Sequence, residues 1–185
     1  MKKAYKILLT ASLLANFGDS LIGPFYAVFV EKIGGSILDI GFTVTVFSMC
    51  TGLLMILIGK LSDRLNKELI TIFGYGMYAL GSLLYLVISS PWQLFFLQIV
   101  FAIGTACLAA PLTTLFAKYI QKGKEGAQWG LEGGSSFLAV GVASFIGTLI
   151  VSQWGFKILF LAMFAIQISA TLVQTRLYFA MKKTA

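Results

Sequence analysis

Long apolar stretches alternate with short polar breaks along the whole of this chain. Each stretch approaches or exceeds the roughly 20 residues that a helix needs to cross hydrocarbon. The breaks carry turn chemistry: Gly34-Gly35-Ser36, the run from Gly59 to Lys67, Ser89-Ser90-Pro91, the run from Gln121 to Gly126, and Gln153-Trp154-Gly155. They predict six helices, at about 6–30, 39–60, 68–89, 92–117, 127–152 and 156–179. The last break is the weakest, and its flanks could merge into one long kinked helix. Together those flanks exceed the length of a single crossing twice over, which favours two spans. The expectation is an all-α membrane protein forming a single six-helix bundle over residues 1–185.

Composition narrows the function. Of the 185 residues, 58% are hydrophobic, 11% are charged and none is histidine. Cys50 and Cys107 both lie inside apolar runs, so neither a disulfide framework nor a zinc site is expected. Without histidine there is no Ser-His-Asp or Cys-His nucleophile, so an enzyme is not expected, and no cofactor is implied. The net charge of +7 is placed in short loops beside apolar spans rather than on a soluble basic face, which argues against nucleic acid. Met1-Lys2-Lys3 precedes an apolar run, but Asp19 interrupts it and no small-residue cleavage site follows, so it reads as an uncleaved first helix.

Orientation follows from the basic residues. One side of the predicted bundle receives Lys2, Lys3, Lys6, Lys60, Arg64, Lys67, Lys118, Lys122, Lys124, Arg176, Lys182 and Lys183; the other receives Lys32 and Lys157. That asymmetry puts both termini in the cytoplasm, with the chain in the inner membrane if the cell is prokaryotic. The six spans divide into two triplets, and Pro24 and Pro111 stand near the far ends of the first helix of each. Matched prolines fit inverted three-helix repeats, although proline is also simply tolerated in membrane helices.

The loop Gly59-Lys60-Leu61-Ser62-Asp63-Arg64-Leu65-Asn66-Lys67 must leave the membrane and re-enter it almost at once. It resembles the signature loop between the second and third helices of the major facilitator superfamily, with Gly59, the Asp63-Arg64 pair and Lys67 at the family's spacing. The resemblance implies secondary transport of a small solute by alternating access. It covers essentially the whole chain, but only the first half of a usual twelve-helix transporter. A homodimer or a second six-helix half is therefore expected as partner. Within the loop, Asp63 can bond the amides opening the third helix and Arg64 can pair with carboxylates or cap carbonyls. The family implies that this cluster gates the two halves; the plainer reading is that it fixes topology and anchors the turn.

Small and polar residues recur at helical spacing. Gly41, Thr45, Ser48, Gly52 and Gly59 share a face of span two, and Gly130, Gly134, Gly141, Ser144 and Thr148 share one of span five. With Gly147, the glycines Gly52, Gly134 and Gly141 are expected to let helices pack closely. Gly74, Tyr78, Gly81 and Tyr85 form a similar face on span three. Span one differs, since Ser12, Asn16, Asp19, Gly23 and Tyr26 make a polar face. Asp19 falls near mid-span, where a lone carboxylate is costly. It reads either as a proton- or cation-responsive group beside a central cavity, or as a structural carboxylate bonded to neighbours such as Asn16.

Gln98 shares a face with Ala102, Thr105 and Ala109, at a position where many proton-coupled facilitators carry arginine; a glutamine holds no fixed charge. Glu132 could line the cytoplasmic mouth or snorkel to the interface. Gln167, Thr171 and Gln174 make span six polar on one side, as a cavity wall or a helix contact. Phe17-Gly18 with Pro24-Phe25, and Gly147-Thr148-Leu149-Ile150 with Trp154-Gly155-Phe156 and Phe160, resemble segments of drug-exporting facilitators. Ala27 replaces a second proline, and the antiporter Gly-Pro pair is missing.

The expectation is thus efflux of a small organic compound. Asn16, Asp19, Tyr26, Gln98 and Glu132 would meet the solute or a coupling ion, a proton or another. The alternative is a truncated or non-transporting bundle that needs or scaffolds a partner.

Overall fold

A computed structural model describes residues 3–182 of the chain. Of the basic residues used for topology, Lys2 and Lys183 fall outside this range. Helix α1 covers Lys3–Ser20, and a 3-10 turn over Gly23–Phe25 joins it to α2, Tyr26–Lys32. Pro24 sits in that turn, where its missing N–H interrupts the helical ladder. Helix α3, Ile37–Ser62, opens on a reciprocal cap: the Ser36 amide donates to Asp39 Oδ2 at 2.7 Å and the Asp39 amide to Ser36 Oγ at 3.4 Å. Helix α4, Lys67–Leu84, passes into a 3-10 turn over Tyr85–Val87. Helix α5, Pro91–Tyr119, starts on a proline at a position whose N–H would have no helical partner. Pro111, by contrast, stands inside a continuous α5, so the two matched prolines act differently on their helices.

Helix α6 runs from Glu125 to Lys182 and leaves helical geometry at Gly155, where φ is 76° and ψ is −177°. The described residues thus hold five helical stretches long and apolar enough to cross a membrane, one of them double length. Two contacts show that this stretch doubles back. The Tyr5 hydroxyl donates to the Gln128 carbonyl at 2.6 Å, and Tyr5 shares a buried cluster with Leu177. On a straight helix, residues 128 and 177 would lie about 74 Å apart. The reversal at Gly155 folds α6 into two arms, and such a backbone conformation is essentially reserved for glycine. The weak break in the sequence pattern is therefore a sharp turn at a single residue.

Helix α1 lies along both arms of α6, α4 packs on α5 and α6, and α3 packs chiefly on α5. An aromatic cluster closes the end near Gly155: Tyr85 stacks on Phe160 at 4.6 Å, and Phe29 meets both rings edge-on. Tyr5, Leu115, Phe116, Tyr119 and Leu177 pack the opposite end, and a smaller cluster around Ala11, Ala15, Tyr75 and Ala170 lies between. The two fully buried glutamines are helix contacts. Gln167 Nε2 donates to the Ala15 carbonyl at 3.0 Å, and Gln174 Nε2 to Thr71 Oγ1 at 2.8 Å. Such polar contacts supply association that apolar burial cannot supply in lipid.

Of the glycines expected to bring helices together, Gly74, Gly81 and Gly147 do so within this bundle, and Gly52, Gly134 and Gly141 do not. A methyl on Gly52, Gly134 or Gly141 would meet no atom within 4 Å, because the faces of α3 and of the first α6 arm that carry them turn away from the bundle. Close approach falls instead to Gly74 against Gly104, to Gly81 against the Phe101 ring, and to Gly147, where a methyl would collide with the Leu21 carbonyl oxygen. Gly147→Val is expected to destabilise the bundle by about 1–3 kcal/mol through overpacking. Gly141→Val should stay within about 0.5 kcal/mol. Thermal unfolding of both variants in one detergent checks this, and equal losses would refute the packing assignment.

Candidate functional site

The back of α1 is apolar or small where it meets α6: Tyr5, Leu8, Ala11, Ala15 and Gly18 are all buried. Asn16 and Asp19 lie along the flank of that stripe, next to the buried Ser12, and Asp19 is exposed. There a cleft of about 290 Å³ lies between α1, α4, α5 and the first arm of α6, with Asn16, Asp19, Tyr75, Tyr78, Thr105 and Glu132 in its wall. A second volume of about 240 Å³ continues towards α2 and α3, lined by Asp19, Tyr26, Tyr78, Tyr85, Gln98 and Phe101. Asp19 and Tyr78 border both, so the two form one polar track along α1. Asn16, Asp19, Tyr26, Gln98 and Glu132, scattered over 117 positions of sequence, all reach it.

Hydrogen bonds hold the walls in place. Asn16 Nδ2 donates to Ser136 Oγ at 3.1 Å, one turn along α6 from Glu132. Gln98 Nε2 donates to the Tyr26 hydroxyl at 3.0 Å, fixing α5 to α2. Tyr78 and Thr105 hydroxyls lie 2.8 Å apart, and Thr105 also sits 2.9 Å from the Phe101 carbonyl. A hydroxyl has one proton; with Thr105 giving its own to that carbonyl, Tyr78 is the donor of the pair. Asp19 is exposed to the cleft. Among the described residues no group of three or more His, Cys, Asp or Glu comes together to hold a metal ion.

Tyr75, Tyr78, Tyr85, Thr105 and Ser136 join the site without having been singled out for it. Tyr78 and Tyr85 share a face with Gly74 and Gly81, and aromatic residues at that spacing read naturally as packing. Their role becomes visible only when α4 is set against α1 and α5. The loop residues behave differently from the expectation. Helix α3 continues past Gly59 to Ser62, so the interhelical loop shrinks to Asp63–Asn66, and Lys67 is the first residue of α4. Asn66, not Asp63, caps α4: its Oδ1 accepts from the Leu69 amide at 3.1 Å. Asp63 instead closes α3, and both Asp63 and Arg64 are exposed at the bundle end, outside the walls of the cleft.

Comparison with known proteins settles the family. The sequence model described as Major Facilitator Superfamily matches residues 8–184. This chain belongs to the Major Facilitator Superfamily. It is an integral, multi-pass membrane protein.

This facilitator chain is 24% identical over 143 residues to the uncharacterized MFS-type transporter MJ1560 of Methanocaldococcus jannaschii, a match covering 77% of the chain and 37% of MJ1560. It is 32% identical over 116 residues to the uncharacterized MFS-type transporter YitZ of Bacillus subtilis, covering 62% of the chain and 70% of YitZ. In fold it is similar to the in meso crystal structure of the POT family transporter PepTSo, with a TM-score of 0.74 at 12% identity, over 94% of this chain and 37% of that one. The facilitator bundle described here thus spans little more than a third of MJ1560 and of PepTSo.

Asp19 opens onto the cleft rather than onto a packed neighbour. In a chain with Cys50→Ser and Cys107→Ala, Asp19→Cys is expected to react rapidly with a charged, membrane-impermeant maleimide, while Gln167→Cys, fully buried between α1 and α6, stays protected. Equal labelling of the two would remove the case for an aqueous cleft.

Proposed function

We propose that this bundle is one half of a secondary transporter that moves a small organic solute across the membrane by alternating access, in the direction of efflux. The observation that carries the reading is an exposed carboxylate, Asp19, in a polar track along a helix of membrane-spanning length. A carboxylate there is costly unless it meets water, a partner or a ligand, and such residues mark substrate and ion pathways. Gln98, Tyr26 and Asn16 offer hydrogen bonds beside it, and a proton or another cation is the coupling ion that Asp19 would take.

In this reading the two arms of α6 count as separate crossings, giving six in all, arranged as two inverted triplets. Lys60, Arg64, Lys67, Lys118, Lys122 and Lys124 fall at helix ends on the side packed by Tyr5 and Tyr119, whereas Lys32 and Lys157 lie at the other, beside Phe156. This asymmetry supports cytoplasmic termini. Asp63 and Arg64 then stand where a second bundle would meet the first, and Gly59 and Lys67 flank them.

Alternating access needs two bundles moving about a site between them. The open glycine faces of α3 and of the first α6 arm, with Phe137 at 81% and Leu138 at 72% exposure, offer the surface for a second half. The same outward faces also suit a bundle that does not transport but scaffolds a membrane partner, and this is the rival reading.

Two measurements separate them. Detergent-corrected mass of the purified chain is expected to equal two chains. Energised cells expressing it should accumulate less of at least one member of a panel of fluorescent organic dyes of differing charge, with Asp19→Asn restoring accumulation. A monodisperse monomer together with unchanged dye accumulation would exclude transport by the chain alone.

A further inference from the structure

We infer that the solute is an amphipathic organic cation, held between Asp19 and Glu132 with its apolar body against the tyrosine rings; this rests on the transport reading above. The first argument is charge. No lysine or arginine lines either volume of the cleft, and its acidic members are Asp19 on α1 and Glu132 on α6. Two carboxylates in one cleft without a cationic side chain exclude anions and reward a positive charge, the more so because the surroundings are of low dielectric.

The second argument is the wall between them. Tyr75 and Tyr78 line the same cleft as the two carboxylates. Tyr26 and Tyr85 extend the aromatic surface past Asp19. Ring faces attract cations and also accept apolar surface, so they suit a cation that carries hydrocarbon. A bare metal ion suits this wall poorly, because it needs several oxygen ligands drawn close together.

The third argument is an unmet hydrogen bond. Tyr75 is 1% exposed, lines the cleft, and its hydroxyl has no hydrogen-bond partner among the described residues. A buried polar atom left this way is rare and calls for a partner. Tyr75 lines the same cleft as Glu132, where a polar group of a ligand would supply that partner. The Asn16–Ser136 bond already ties α1 to α6 one turn from Glu132, so this wall of the site is built before the ligand arrives. The combined volume, about 290 Å³ and 240 Å³, is that of a small drug-sized molecule.

The test uses two probes of the same shape and opposite charge, tetraphenylphosphonium and tetraphenylborate, with the full chain purified in detergent and binding read by equilibrium dialysis. Tetraphenylphosphonium is expected to bind saturably, and tetraphenylborate neither to bind saturably nor to displace it. Asp19→Asn should weaken binding by about tenfold or more, the loss of one close charge contact. Glu132→Gln should weaken it severalfold, and Asp19→Glu, which keeps the charge, should largely restore it. Asp19→Glu also guards against a folding defect, since a binding-competent variant at this position must be folded.

Equal binding of both probes, or binding indifferent to both neutral substitutions, overturns the inference. Export of neutral or anionic dyes by a chain that does not bind tetraphenylphosphonium overturns it too, and leaves the transport reading standing. Charge-selective binding without movement of any dye supports the cation site and defeats the transport reading instead.

Discussion

The cleft exists because α1 is held along its back by both arms of α6. Tyr5 is anchored to Gln128 on the first arm, Leu21 rests on Gly147 of the same arm, and Ala15 and Gly18 meet Gln167 on the second. Two local conditions allow this grip. Gly155 must turn the chain at a positive φ so that the arms run side by side, and Gly147 must lack a side chain so that the backbone of α1 can come close. With its back committed, α1 has only one direction in which to present Asn16 and Asp19. The polar stripe of α1 thus faces a cleft because the small and apolar stripe beside it is already occupied.

The sequence was most informative where hydrophobic length and turn chemistry act locally. Helices α3, α4 and α5 start beside turn residues visible in the sequence, since Ser36, Asn66 and Pro91 begin helices by bonding or geometry confined to a few neighbours. The polar face of α1 was equally legible, because Ser12, Asn16 and Asp19 lie on one helix and steps of four and three suffice to align them, whereas Tyr26 opens α2 beyond the turn at Pro24. Which glycines pack, and which tyrosines line the cleft, could not be read in this way. Gly52 and Gly141 share the spacing of Gly74 and Gly147, yet only the latter two meet a neighbour, and the difference lies in how each helix is rotated in the bundle. Asp63 was the expected cap of α4, and the role falls instead to Asn66, immediately before the helix, because α3 extends to Ser62 and takes Asp63 as its own end.

The outward faces have a physical consequence for the bundle. Helix α3 buries only Thr43, Thr51 and Ser62 fully, and Gly41 and Gly52 open onto space. The first arm of α6 does the same with Gly130, Gly134 and Gly141 beside exposed Phe137, Leu138 and Phe145. Lipid tails satisfy exposed leucine and phenylalanine without help, but they gain nothing from columns of glycine, which lower helix propensity without adding contact area. Such columns are useful where another helix backbone approaches closely. Their concentration on two helices that bracket the cleft, rather than at random over the lipid-facing surface, is what links the site to a second bundle in the proposed reading.

Gln98 gives the site its character. An arginine at this position would pair with Asp19 across the second cleft volume and hold the carboxylate ionised whether or not a ligand were present. The glutamine instead spends its amide on Tyr26 and brings no charge to Asp19. The carboxylate then has two ways to avoid standing alone in a low-dielectric wall: it takes a proton, or it takes the positive end of a ligand. In the proposed reading these occupants exclude one another at the same oxygen atoms, so binding of either lowers the affinity for the other by the same factor. Exchange of one for the other would therefore need no separate coupling site, and a carboxylate without a protein counter-charge is the simplest arrangement that achieves it.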